Sequence, residues 1–386
     1  MKDVNTLVNE YRKMDWQQRK GAIATVVNVH GSSYRSPGAR MLILDDGKWV
    51  GSISGGCLEG DALRKARQVM VEKKSMTVTY DTREESNQKL GIGLGCNGVI
   101  DVLIQPVEEA IDTLAAVVHA QQPLVLATVF AGTASGAMLL QDTHGKILRS
   151  TLPESIQREV HADLWLMLES KRSQTKNYES PAGVQAVFLE LVQPAPHVIL
   201  FGGGFDARPV SHLAKSLGWR VDVTDECVAH IAPVFFPSAD KLSLCQREFV
   251  DREFDITPYT ACVLMSHNYE YDRDVLQKVI NSPAPYIGIL GPRKRFDKMV
   301  AELAQRNVTL TAEQLDRIHS PIGLDIGAEA PDEIALAIIA EIQSKFTHRS
   351  GGFLKHHPGP IHTRQAGSDQ VLKQAYLGNT AAQKSV

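Results

Sequence analysis

Two short glycine-rich stretches each hold one thiol. "GSISGGCLEGD" (Gly51–Asp61) places Cys57 directly after Gly55 and Gly56, and "GIGLGCNGVID" (Gly91–Asp101) places Cys96 after Gly95. Glycine at this density has a conformational-entropy cost on folding and contributes no side chain to a core, so another reason for it is needed. Space around the sulfur is one such reason, because a bulky partner then reaches both the thiol and the backbone amides. A thiolate at a helix N-terminus is stabilised by the helix dipole, and Leu58 opens a stretch of helical spacing. A thiolate binds soft metals, carries sulfane sulfur or attacks a substrate. The plain alternative is that the glycines make tight turns and the two thiols fill small spaces. Cys227, Cys245 and Cys262 have no comparable surroundings; Cys262, in the apolar run "TACVLM", reads as a buried hydrophobe. Five scattered cysteines without C-x-x-C spacing make neither a disulfide framework nor a structural zinc site.

A second constellation begins at "VILFGGGFDARP", where Gly202, Gly204 and Ala207 spell G-x-G-x-x-A between an apolar run and a helical pattern. Gly202 permits the tight turn, Gly204 lets a diphosphate approach the backbone, and the helix N-terminus supplies partial positive charge. Asp225, at the end of "RVDVTD", stands where an acid binds a ribose diol. Asp206 at the helix start opposes an incoming phosphate. "MSHNYEYD" (265–272) brings His267 and Asp272 to the end of another apolar run, within expected reach of a ligand. "LGPRKR" (290–295) puts Arg293, Lys294 and Arg295 at a helix start, where cations oppose the dipole unless an anion is near. In a parallel sheet these loops share the carboxyl edge, where ligands bind.

The elements that must position these residues differ between the two halves of the chain. In the first half, strands alternate with a few helices. "AIATVVNVHG" and "ARMLILDDGKWVGSIS" read as strands, the second a hairpin turning at Asp45-Asp46-Gly47. A helix follows over "LEGDALRKARQVMVEKK", then further strands, a helix over 108–120 and another near Pro153–Glu169. The polar stretch 170–183, with Pro181 and Gly183, reads as a loop, and "QPAP" (193–196) as a hinge. From His197 onward short apolar runs alternate with helices, the pattern of a doubly wound parallel sheet. "APDEIALAIIAEIQSKF" reads as the final helix, with Pro331 in its first turn. The expected division is a mixed α/β domain over 1–193, a Rossmann-like doubly wound domain over 194–346, and an extended tail over 347–386.

A chain of 386 residues is long enough for two or three domains. Its net charge of −3 argues against nucleic acid as partner. The charged N-terminus lacks the apolar core of a signal peptide, and no apolar run is long enough to cross a bilayer. A cytoplasmic protein with no membrane partner is expected.

"GSISGGCLEGD", "GLGCNG", "VILFGGG", "YIGILGPRKR" and above all "IHSPIGLDIGAEAPDEIALAIIAEI" (318–342) resemble, in this order, the XdhC/CoxI family of molybdenum hydroxylase maturation factors. The resemblance implies an XdhC/CoxI domain followed by a Rossmann-like domain. It further implies a chaperone that binds molybdenum cofactor, protects it during sulfuration and delivers it to an apo-enzyme such as xanthine dehydrogenase. Gly55, Gly56 and Cys57 match the family's Gly-Gly-Cys element, and Cys96, Asn97 and Gly98 correspond to its second cysteine element, with Asn97 a departure. "DECV" after the second Rossmann strand and Pro292 in "GPRKR" also depart from the family pattern. The cofactor, a pterin dithiolene carrying phosphate and in some cases a nucleotide, offers matching groups to a soft thiol, a glycine turn and basic loops. Cys57 is then a candidate ligand for its molybdenum, and Cys57 and Cys96 are candidate sulfur carriers. Gly55, Gly56, Gly202, Gly204, Ala207, Asp225, His267, Arg293 and Arg295 are the candidate binding residues. A cysteine desulfurase as second partner, a homo-oligomer and NAD(P) as ligand stay open. So do two other functions: an NAD(P)-dependent oxidoreductase built on the glycine turn and Asp225, and a thiol or persulfide relay.

Overall fold

The computed structural model describes residues 2–82, 98–118 and 120–358. They form two compact units, Asp3–Gln193 and Pro194–His357. In the first, helix α1 (Lys2–Arg12) precedes β1 (Gly21–Gly31), β2 (Arg40–Leu44) and β3 (Trp49–Gly51). Helix α2 (Glu59–Glu72) separates these from β4 (Met76–Asp81) and β5 (Gly98–Pro106), and α3 (Val107–Val118) follows. The five strands make an antiparallel sheet in the order β3-β2-β1-β5-β4. A second antiparallel sheet uses β6 (Leu124–Ala131), β7 (Met138–Gln141), β8 (Ile147–Ser150), β9 (Gln174–Tyr178) and β10 (Gln185–Val192), in the order β8-β7-β6-β10-β9. Helix α4 (Glu154–Ser170) lies between β8 and β9, as α2 lies between β3 and β4.

Identical strand order and helix placement make this unit an internal repeat, and the backbone repeats in detail. Gly38 N–H bonds to the Val26 carbonyl as Gly136 N–H bonds to that of Val129. The hairpin turns of Gly47 and Gly145 close with the same pair of backbone bonds. Helices α2 and α4 both end on a left-handed lysine, Lys73 (φ 51) and Lys171 (φ 52). The Tyr80 hydroxyl donates to Asp61, and that of Tyr178 to Asp163. Each helix covers one face of its own sheet: Ala62, Ala66 and Val69 pack on Ala22, Ala24 and Val26, while Ile156, Val160 and Leu164 pack on Val125, Ala127 and Val129. Residues 170–183, expected as a loop, contain strand β9. It is an edge strand whose first four residues are exposed, so no apolar alternation marks it in the sequence.

The second unit holds six parallel strands, β11 (His197–Phe201), β12 (Arg220–Asp225), β13 (Lys241–Leu244), β14 (Thr260–Leu264), β15 (Tyr286–Ile289) and β16 (Ile318–His319). Its helices are α5 (Ala207–Ser216), α6 (Val250–Glu253), α7 (Tyr269–Val279), α8 (Arg293–Gln305), α9 (Ala312–Asp316) and α10 (Pro331–Phe346). The order β13-β12-β11-β14-β15-β16 is that of a Rossmann-type doubly wound sheet. Successive residues of β11 feed opposite cores. Val198 and Leu200 face α5 and α10, whereas Ile199 and Phe201 face α7 and α8. The strand order reverses between β11 and β14, so the ligand crevice of such a sheet falls between the loops that follow them. The "GGGFDA", "MSHNYEYD" and "GPRKR" motifs thus land on one sheet edge, as parallel strands require. Among the described residues no helix is long and apolar enough to cross a membrane.

Candidate functional site

In the first unit the "GSISGGC" segment is wound around one carboxylate. Glu59, at the start of α2, is only 3% exposed. Its Oε1 accepts the N–H groups of Ile53 (3.1 Å), Ser54 (3.0 Å) and Gly55 (3.2 Å), and its Oε2 those of Gly56 (2.9 Å) and Leu58 (3.1 Å). The Ser52 and Ser54 hydroxyls donate to it as well, at 2.7 and 2.5 Å. Burial by itself would raise this carboxyl's pKa, but the two hydroxyls and the backbone donors outweigh burial and hold it at about 2. Converging so many amides on one point bends the chain sharply, and Gly51 (φ +88), Gly55 (φ +88) and Gly56 (φ +123) supply left-handed backbone for it. The exposed ring of Tyr34 lies over Gly55, where an added Cβ would come within 2.7 Å of it. Cys57 is a free thiol, partly exposed, at the end of this loop.

Sequence reasoning passed over Glu59. Its signal is an acid just beyond a glycine–serine run, placed where a helix starts. The repeat shows which features serve the scaffold. Ser150 donates to Gln157 at 2.7 Å in the second copy, as Ser52 does to Glu59 in the first. Gly55, Gly56 and Cys57, in contrast, face Pro153, Glu154 and Ser155 at the same offset. The first copy also has a longer connection from Val26 to Ala39 than the second has from Val129 to Ala137, and the extra length includes Tyr34. The thiol, its glycines and the tyrosine are therefore additions to a fold that stands without them. Cys96 and Asn97 lie outside the described residues; Gly98, which follows them, starts β5 opposite Gly31.

In the second unit the loops after β11, β12, β14 and β15 meet at the carboxyl edge. A Cβ on Gly202 (φ +119) would lie 2.4 Å from the Ser266 Cα, so this glycine lets two backbones touch at the crevice. Gly202 thus serves the tight turn and the close approach of two strand ends, and a side chain there would not fit. Gly204 is the open position, since a Cβ there would meet only the His267 ring, at 3.6 Å. The N–H groups of Gly204, Phe205 and Asp206 donate to no other group among the described residues, and Ala207 begins α5 behind them. Asp206 does not stand as a bare charge, because His267 Nε2 lies 3.1 Å from its carboxylate across the crevice.

Asp225, expected to hold a ribose, serves its own loops. Its Oδ2 accepts Gly203 N–H at 2.9 Å and faces His230 Nδ1 at 3.0 Å, while Oδ1 accepts Cys227 N–H at 2.8 Å. Asp272 is fully buried and paired with Arg295 at 2.8 Å, so it does not reach a ligand. Burial raises its pKa, opposed by the Ser266 hydroxyl and Arg295. Arg295 is thereby engaged, and Arg293 pairs with Asp297 at 3.2 Å and donates to the Ser320 carbonyl. The basic "PRKR" loop is thus satisfied largely within its own unit. One further cluster escaped the sequence. Glu341 on α10 accepts from the Tyr286 hydroxyl (2.5 Å) and Gly323 N–H (2.9 Å) and meets His319 Nδ1 (3.0 Å), pinning the loop after β16.

No cluster of three or more metal-ligating side chains occurs among the described residues. Among the described residues the arrangement offers one soft thiol, Cys57, in the first unit and an open amide cradle in the second.

The sequence matches the model of the XdhC Rossmann domain over residues 198–342 and that of the XdhC and CoxI family over residues 16–81. It is 29% identical over 329 residues to a probable xanthine dehydrogenase subunit of Bacillus subtilis, covering 84% of this chain and 93% of that protein. It is 23% identical over 331 residues to the molybdenum cofactor insertion chaperone PaoD of Escherichia coli, covering 86% and 85%. Among solved structures, a Bacillus halodurans protein described as a xanthine dehydrogenase superposes with a TM-score of 0.72 at 29% identity, covering 93% of this chain and 98% of that one.

Proposed function

The chain belongs to the XdhC and CoxI family, and from that premise we propose that it is a maturation factor that binds molybdenum cofactor, shelters it during sulfuration and inserts it into a molybdenum hydroxylase such as xanthine dehydrogenase. A maturation role for molybdenum enzymes is what the relative named as an insertion chaperone supports. The observation that carries the reading is the Cys57 loop, a rigid presentation of one thiol added to a scaffold whose second copy lacks it. The cofactor is cargo here, and the residues fit parts of it. Cys57 provides a soft ligand for molybdenum or a carrier for the sulfur atom. The amides of Gly204, Phe205 and Asp206 suit a phosphate, with Gly204 leaving the approach clear. The amides beside Cys57 are already held by Glu59, so that loop meets its ligand through sulfur and not through backbone donors.

The dehydrogenase reading is weaker on the same geometry, because the Asp225 carboxylate is turned to Gly203, Cys227 and His230. Co-expression of the partner hydroxylase with wild-type chain or with Cys57→Ser tests the proposal. Serine keeps the volume and removes the soft ligand. A partner poor in molybdenum or in cyanolysable sulfur is expected, while the variant's own melting temperature stays within a few degrees of wild type. Full molybdenum content and activity would reject it.

A further inference from the structure

We propose that the second unit carries an oxyanion site on the outer side of α5, made by Arg208, His212 and Ser238, which takes a phosphate group. Arg208 and His212 are four residues apart, hence on one side of the helix, and both line a groove of about 330 Å³ closed by residues 235–238. The Arg208 guanidinium carbon lies 3.6 Å from the Phe235 ring centroid and 5.3 Å from that of Phe205. Stacking of this kind fixes the guanidinium plane and leaves its N–H edge for a ligand.

Among the described residues that edge has nothing to bind. Arg220, Arg247, Arg273, Arg295 and Arg306 of the same unit each meet a carboxylate. Arg208 meets none among the described residues; its Nε is buried without a hydrogen-bond partner, so the edge open to a ligand is that of its two Nη groups. A half-buried cation, oriented and unpaired, is costly unless an anion completes it, and a tetrahedral oxyanion matches the guanidinium edge with two parallel bonds. The Ser238 hydroxyl and the His212 imidazole line the same groove as further hydrogen-bonding groups. Phe205, 65% exposed, adds a face on which a planar ring stacks. Asp332, from the first turn of α10, is the single acid in the lining, and it forms no ion pair with Arg208.

The site stands apart from the cofactor reading and uses side chains rather than the Gly204–Asp206 amides. It is tested by calorimetric titration of the full chain carrying Gly204→Val, which closes the amide cradle, so that only the groove is read. Inorganic phosphate and AMP are the two probes. Both are expected to bind, Arg208→Gln to weaken them at least tenfold, and Asp332→Asn to tighten them severalfold. The Asp332 variant moves affinity upward from another helix, which a general loss of structure cannot imitate. AMP binding tenfold tighter than phosphate identifies a nucleoside phosphate as the ligand; equal affinities identify free phosphate. Titrations that Arg208→Gln leaves unchanged, or no binding of either probe up to about 10 mM, would overturn the proposal.

Discussion

Glu59 sets the shape of the thiol loop by lending it a charge. A carboxyl of about 4.3 in the unfolded chain and about 2 in the folded one is a group with a depressed native value. The stability it contributes is complete above the unfolded value and disappears as pH falls from about 4.5 towards 2. Allowing for solvent relaxation around a loop, that contribution is about 2 kcal/mol. Glu59→Gln presents an amide to donors that need an acceptor, so it is expected to cost about 2–3 kcal/mol at pH 7 and to flatten the acid limb of stability. Urea unfolding at pH 7 and pH 3 measures both. Two glycines in the other unit separate in the same concrete way. Gly202→Val drives a side chain into the Ser266 backbone and is expected to disrupt folding, seen as loss of soluble protein. Gly204→Val meets only the His267 ring and is expected to fold, yet to lose phosphate-bearing ligands in calorimetry.

Helices and strands of the first unit tell scaffold from function because each occurs twice. Tyr80 and Tyr178 close equivalent corners, and burial, reinforced by Asp61 and Asp163 respectively, pushes both phenols up. Tyr80→Phe and Tyr178→Phe are expected to cost nearly the same, about 1 kcal/mol each, since each carboxylate keeps a cation, Arg64 or Lys176. Denaturant midpoints differing by more than twofold in free energy would show that the copies no longer share this role. The glycine turn at Gly47 was visible as a local signal, whereas its counterpart at Gly145 and the left-handed lysines Lys73 and Lys171 emerged with the structure. The pairing was not visible either, because few side chains are shared between the copies and the first copy is lengthened around its thiol.

At the scale of the whole chain, each unit has its own core, and the second buries both faces of its six-stranded sheet without help from the first. Residues 194–357 expressed alone are expected to melt cooperatively with α/β circular dichroism. A featureless thermal trace from that fragment would refute its independence.

The sequence by itself determined the fold class, the glycine turn before α5 and the oddity of Cys57, because periodicity, turn chemistry and thiol spacing are local properties that residues state directly; the family came from the resemblance of its longer motifs, above all residues 318–342. Strand order was settled only in three dimensions: β11 beside β14 and the matched sheets of the repeat depend on pairings between segments far apart in the chain. The partners of charges were settled there too. Asp225 and Asp272 look free in a string of letters, yet they bind Gly203 N–H and Arg295, brought near by the sheet. Gly202 and Gly204 have distinct places in the motif, but only the closeness of Ser266 shows how firmly one is closed and how open the other is.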